Sequence, residues 1–130
     1  MKKSHNEIVG VGIDLVDVER IEKAVSTRKA FLKRLYAEEE IRLSNKGKFR
    51  FEELAGRFAV KEAVLKVLKT GWRQGVKFNE IIVLNERSGA PYVRLTGRAR
   101  EVADDLGIKN IYISISHTKT LAVGLAVATR

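Results

Sequence analysis

Residues Phe51 to Lys69 constrain the fold most. Leu54, Phe58, Leu65 and Leu68 recur at helical intervals, and Ala55, Ala59, Ala63, Val64 and Val67 widen the apolar stripe. A helix apolar over so much of its girth must be covered on more than one side, which places it at the centre of the molecule. Arg57, Lys61, Glu62 and Lys66 stand within this same segment. For Glu62, a carboxylate among Phe58, Ala59, Ala63 and Leu65, burial is costly unless something compensates its charge.

The rest of the chain supplies strands and shorter helices to cover that centre. Ile8 to Leu15 reads as a strand, with Gly10 and Gly12 on one face where another backbone or a ligand could approach closely. Val18, Ile21, Ala24 and Val25 form a short helical stripe, which Asp17 could cap. Lys29 to Leu43 carries another helical pattern, with a helix start at Ala37-Glu38-Glu39-Glu40, and Ser44-Asn45-Lys46-Gly47-Lys48 reads as a loop. After the long helix, Gly71-Trp72-Arg73-Gln74-Gly75 reads as a stop and a basic loop. Phe78 to Leu84 and Tyr92 to Leu95 are predicted strands joined by the turn Asn85 to Pro91. Thr96 is placed to cap a helix from Gly97 to Leu106, stopped by Gly107. Ile108 to Ser116 and Leu121 to Ala128 form a hairpin through His117-Thr118-Lys119-Thr120. This order predicts one α+β domain over residues 1–130, an antiparallel sheet packed on a long central helix.

Charge and composition narrow the function classes. A formal charge of +9 on 130 residues favours a polyanionic partner. Yet no helix-turn-helix, zinc finger, paired aromatic RNA motif or clustered basic tail is evident, so nucleic acid is not the expected ligand. With no cysteine and two histidines, a divalent ion would rely mainly on carboxylates, which suits magnesium. The basic start runs into only a short apolar stretch interrupted by Asp14, neither a signal peptide nor a membrane span. A cytoplasmic location without membrane attachment is the expectation.

Two groups of residues could carry chemistry. Asp14 and Glu62, if the fold brings them together, make a hard-oxygen site for magnesium that leaves positions for water and substrate phosphates. Lys66, four residues after Glu62, could pair with it, and an ordinary helix ion pair is the plainer alternative. Arg57, Lys61 and Lys66 on neighbouring turns, with Ser114, Ser116, His117 and Thr118 near the hairpin turn, could hold phosphates. Arg20 and Arg28 could line a basic docking face or simply be solvated surface. The plainest rival function is a noncatalytic basic module that binds nucleic acid or another partner.

Taken together, these blocks resemble the bacterial holo-acyl-carrier-protein synthases, the short branch of the phosphopantetheinyl transferases. The resemblance is carried by Gly10-Val11-Gly12-Ile13-Asp14-Leu15 with Val18-Glu19-Arg20-Ile21, and by Arg57-Phe58-Ala59-Val60-Lys61-Glu62-Ala63 with Lys66. Gly89-Ala90-Pro91-Tyr92 and Ser114-Ile115-Ser116-His117-Thr118 extend it over nearly the whole chain. It implies transfer of 4′-phosphopantetheine from coenzyme A to a serine of acidic apo acyl carrier protein, releasing adenosine 3′,5′-bisphosphate. Asp14 and Glu62 then fall on magnesium ligands, and Lys66 on a lysine at the reacting phosphates. Arg57, Ser116, His117 and Thr118 fall in the coenzyme A set, Lys61 in the signature, and Arg20 with Arg28 on the carrier-docking side. The serine proton would pass to a metal-oriented water or to Glu62. The resemblance further implies a homotrimer with active sites between subunits.

Overall fold

The structure is a computed structural model that describes residues 7–44, 50–69 and 75–130. Its elements in chain order are β1 (Ile8–Asp17), α1 (Val18–Thr27), α2 (Lys29–Leu35), α3 (Glu38–Ser44) and α4 (Phe51–Leu68). A 3-10 turn (Phe78–Glu80) then leads to β2 (Ile81–Asn85), β3 (Pro91–Leu95), α5 (Gly97–Asp105), β4 (Asn110–His117) and β5 (Leu121–Thr129). The expected loop at 45–48 and the basic segment Gly71-Trp72-Arg73-Gln74 lie outside the described residues.

The sheets are antiparallel, as the order of elements predicts. One has three strands in the order β1-β5-β4, and β2 pairs with β3 in a second. Helix α4 lies directly on the three-stranded sheet, and two glycines permit it. A Cβ built on Gly12 would sit 2.0 Å from the carbonyl oxygen of Ala63, and one on Gly124 would sit 2.4 Å from the amide nitrogen of Val60. No side chain fits in either place, so the backbones meet there. The expectation of close approach at Gly12 is thus borne out.

Contact on both sides explains the breadth of the apolar stripe on α4. Val60, Val64, Val67 and Leu68 pack with Ile81, Val83, Val102 and Ala126, while Leu54, Ala55, Phe58 and Ala59 pack with Val16, Ile21, Leu35 and Tyr36. Each fully buried large aliphatic side chain contributes about 1.5–3 kcal/mol relative to exposure. Among the described residues, no helix is long and apolar enough to cross a membrane.

Several local expectations change. The helical pattern from Lys29 to Leu43 is two helices, because Tyr36 and Ala37 break it. Tyr36 is buried in an extended conformation and its hydroxyl donates to the carbonyl of Leu54 at 2.6 Å. The strand predicted from Phe78 begins at Ile81, since Phe78–Glu80 form a 3-10 turn and Phe78 stacks on Phe58 with ring centroids 5.4 Å apart. Asp17 and Thr96 occupy N-cap positions but make no side-chain cap bond. Glu80 serves α5 instead, accepting the Arg98 N–H at 3.1 Å. Helix α4 ends at Lys69, whose φ of 60° is left-handed.

Candidate active site

Strand alternation points Asp14 to the same side of β1 as Gly12 and Val16, toward α4. Glu62 lies half-buried on α4, beside the Ala63 that meets Gly12. Its carboxyl is pushed above the usual carboxylate range, first by burial and then by the charge of Asp14, while Lys66 and Arg20 pull it back. The fold therefore brings the two acids within electrostatic reach of one another. Lys66 crosses from α4 to β1, where its Nζ donates to the Ile13 carbonyl at 2.6 Å and to Asp14 Oδ1 at 3.3 Å. The ordinary helix pair with Glu62 gives way to a link between helix and strand.

This donor set suits a hard divalent ion: two carboxylates that repel one another and a mobile ammonium beside them. Among the described residues, no group of three or more His, Cys, Asp and Glu side chains could hold a metal. Any ion here would thus take its remaining ligands from water and substrate, which is the habit of magnesium.

The second group of candidate residues lies toward the other edge of the sheet. His117 ends β4, which is separated from β1 by β5. It lines a cleft of about 420 Å³ with Arg57, Asn85, Gly89 and Pro91, and with Glu53, Val83 and Ile115. Arg57 is buried, its Nε donating to the Val83 carbonyl at 3.3 Å and a terminal nitrogen donating to Asn85 Oδ1 at 3.2 Å. Asn85 also donates to the Gly89 carbonyl at 3.0 Å, tying the turn to the arginine. Neither Asp14 nor Glu62 lines this cleft.

Three members of the expected coenzyme A set are placed differently. Lys61 is fully buried, its Nζ donating to Glu40 Oε1 at 2.7 Å and to the carbonyls of Phe78 and Ile81. Burial pushes it down to about 8. Its ammonium is enclosed in the core of this chain, whereas a phosphate-binding place was expected for it. Ser116 precedes His117 on β4, so pleating sends it with Tyr112 and Ser114 to the opposite face, away from the cleft. Thr118 is exposed, and its Oγ1 accepts the N–H of Thr120 at 3.3 Å and of Leu121 at 3.1 Å, shaping the hairpin turn.

Arg20 is exposed on α1 and lines a broad groove with Lys23, Ser26, Lys119 and Thr120. Its effect on Glu62 sets that groove beside the acidic pair. Arg28 is exposed between α1 and α2, outside the residues that line the groove. Sequence reasoning missed Glu40 and Asn85. Glu40 looked like one of three acids opening a helix, and only its distant lysine partner distinguishes it; Asn85 looked like a turn residue.

Comparison with known proteins shows the family to which the chain belongs. A sequence model described as the 4′-phosphopantetheinyl transferase superfamily matches residues 10–126. A holo-[acyl-carrier-protein] synthase of Thermoanaerobacter sp. (strain X514) is 43% identical over 118 residues, 91% of this chain and 85% of that protein. The crystal structure of holo-ACP-synthase from Plasmodium yoelii superposes with a TM-score of 0.84 at 30% identity, covering 97% of this chain and 98% of that one. The Helicobacter pylori holo-[acyl-carrier-protein] synthase in complex with coenzyme A gives a TM-score of 0.79 at 32% identity, over 92% of this chain and 99% of the other. The chain therefore belongs to the 4′-phosphopantetheinyl transferase superfamily, as a holo-[acyl-carrier-protein] synthase of the bacterial type.

Proposed function

We propose that this chain, acting as one domain over residues 1–130 in the cytoplasm, transfers 4′-phosphopantetheine from coenzyme A to a serine of acidic apo acyl carrier protein. The serine oxygen attacks the phosphorus that bears pantetheine, a new P–O bond forms, and the bond to the adenosine bisphosphate breaks. The serine proton passes to a water or to the Glu62 carboxylate, and adenosine 3′,5′-bisphosphate departs with the bonding electrons. The observation that carries this reading is the convergence of Asp14, Glu62 and Lys66 where β1 meets α4.

Asp14 and Glu62 would hold magnesium. When bound, the ion neutralises charge on the pyrophosphate and on the departing bisphosphate. Lys66 reaches this place from α4 and adds a second positive charge for the phosphate oxygens. Arg57 and His117, with the Gly89-Ala90-Pro91 turn, would form the wall that takes the phosphorylated adenosine end; the bonds from Arg57 to Val83 and Asn85 hold its guanidinium in a set direction. Arg20 beside the acidic pair receives the carrier, with Arg28 further along.

One chain holds these halves toward opposite edges of its sheet, which supports a site completed between copies. An exposed apolar face supports the same reading. Val11, Ile13 and Leu15 are 58%, 58% and 64% exposed, and register sets them beside Val127, Leu125 and Val123, with Tyr112 next to Val127. So contiguous an apolar face on a small chain favours burial against another copy. A homotrimer, as the family resemblance implies, would cover it and bring the acidic pair of one copy toward the Arg57 cleft of the next.

Mass spectrometry of apo acyl carrier protein incubated with coenzyme A tests the reaction. A magnesium-dependent gain of one phosphopantetheine on the acceptor serine is expected. An unchanged carrier mass would refute it.

A further inference from the structure

The pair of Glu40 and Lys61 takes no part in the chemistry above, yet it lies one helical turn from Arg57. Both oxygens of Glu40 are engaged. Oε1 accepts Lys61 Nζ at 2.7 Å and the Ala37 N–H at 2.9 Å, and Oε2 accepts the Val83 N–H at 3.2 Å. The carbonyl of the same Val83 accepts Arg57 Nε at 3.3 Å. Arg57 and Lys61 are four residues apart on α4, so the contacts close a ring through Glu40, Lys61, one turn of helix, Arg57 and Val83. Glu40 and Lys61 are both 0% exposed, so bulk water does not compete for these bonds. Two residues further along β2, Asn85 takes a second guanidinium nitrogen.

We propose that Glu40 is a positioning residue for the Arg57 guanidinium, and through it governs recognition of the 3′-phosphate of coenzyme A without touching the ligand. This rests on reading the Arg57–His117 cleft as the seat of the phosphorylated adenosine. Only a carboxylate at this place accepts from the Lys61 ammonium and the Val83 amide at once. A glutamine offers one carbonyl, which the charged lysine retains, leaving the Val83 N–H facing an amide donor. Strand β2 then loses its tie to α3, and the Val83 carbonyl that aims Arg57 moves with it.

The test is calorimetric binding of coenzyme A and of 3′-dephospho-coenzyme A to the wild type, Arg57→Ala, Glu40→Gln and the double variant. Arg57→Ala should lower the preference for the 3′-phosphorylated ligand by about tenfold or more, as expected for a lost charge-assisted contact. Glu40→Gln should lower it at least about threefold in the wild-type background and change nothing further in the Arg57→Ala background. Should Glu40→Gln fail to fold, Glu40→Met with Lys61→Met replaces the ion pair by apolar groups while still removing the Val83 acceptor. That folded variant should show the same loss of preference. If Glu40→Gln, or the methionine pair, weakens both ligands equally and leaves their ratio at the wild-type value, Glu40 only packs the core and the proposal fails. If Arg57→Ala also leaves the ratio unchanged, the cleft assignment falls and takes the proposal with it.

Discussion

Lys66 ties the centre of α4 to the end of β1, its Nζ lying 3.3 Å from Asp14 Oδ1 and 2.6 Å from the carbonyl oxygen of Ile13. The ammonium thus stands where it neutralises one of two acids that a divalent ion would otherwise claim. Its side chain is 53% exposed, so it can turn toward a phosphate when one arrives.

Lys66→Met should therefore have opposite effects on metal and on catalysis. Mn2+ binding followed by electron paramagnetic resonance without coenzyme A should tighten about two- to fivefold, the scale of a partly exposed ion pair. Transfer to the carrier should fall about a hundredfold through loss of charge at the phosphates. Weaker Mn2+ binding would show that Lys66 does not compete for Asp14.

Glu62 predicts a stability gain on loss of function. Its folded value is raised above the ordinary 4.5 by burial and by Asp14. A carboxyl raised in this way stabilises the fold below the ordinary value and ceases to do so as pH rises through the folded one. Metal-free Glu62→Gln should thus melt higher than wild type at pH 7, and the difference should close toward pH 4. Transfer should drop at least about a hundredfold. A lower melting temperature at pH 7 would contradict the electrostatic account of this carboxyl.

Gly12→Ala should be among the most damaging small substitutions in the chain. The added carbon would meet the Ala63 carbonyl oxygen at 2.0 Å, and backbone atoms cannot yield as a side-chain end can. A loss of about 3 kcal/mol or more in urea unfolding, or failure to fold, is expected. A change below about 1 kcal/mol would mean that α4 and β1 can separate freely.

Arg20→Glu should raise the KM for acyl carrier protein about tenfold or more while coenzyme A binding stays within about twofold, because a charge reversal turns attraction for an acidic partner into repulsion. A carrier titration identical to wild type would remove Arg20 from docking.

Much of this was legible from local pattern. The broad stripe identified α4, β-branched runs identified the hairpin, and Gly10 with Gly12 marked a face of β1 open to close approach, which α4 occupies at Gly12. What escaped depends on contacts remote in sequence. Glu40 and Lys61 are 21 residues apart, and nothing local separates Glu40 from exposed Glu38. Lys61 was expected at the ligand, and only its remote carboxylate and carbonyl partners show it bound within the core. For Ser116 the local pattern is enough: period-two alternation alone sets it on the face opposite His117. The break at Tyr36 follows from a hydroxyl bond to Leu54, 18 residues away.

Subunit complementation tests the shared site most directly. Assayed at subsaturating coenzyme A, Asp14→Asn and Arg57→Ala are each expected to keep about a tenth of wild-type activity or less. Mixed in equal amounts and reassembled, they should restore about one quarter of the wild-type sites, since a cyclic assembly pairs an intact acidic half with an intact arginine half at that frequency. Mixed assemblies verified by mass spectrometry that remain as inactive as the parents would show that one chain supplies both halves, contrary to this account.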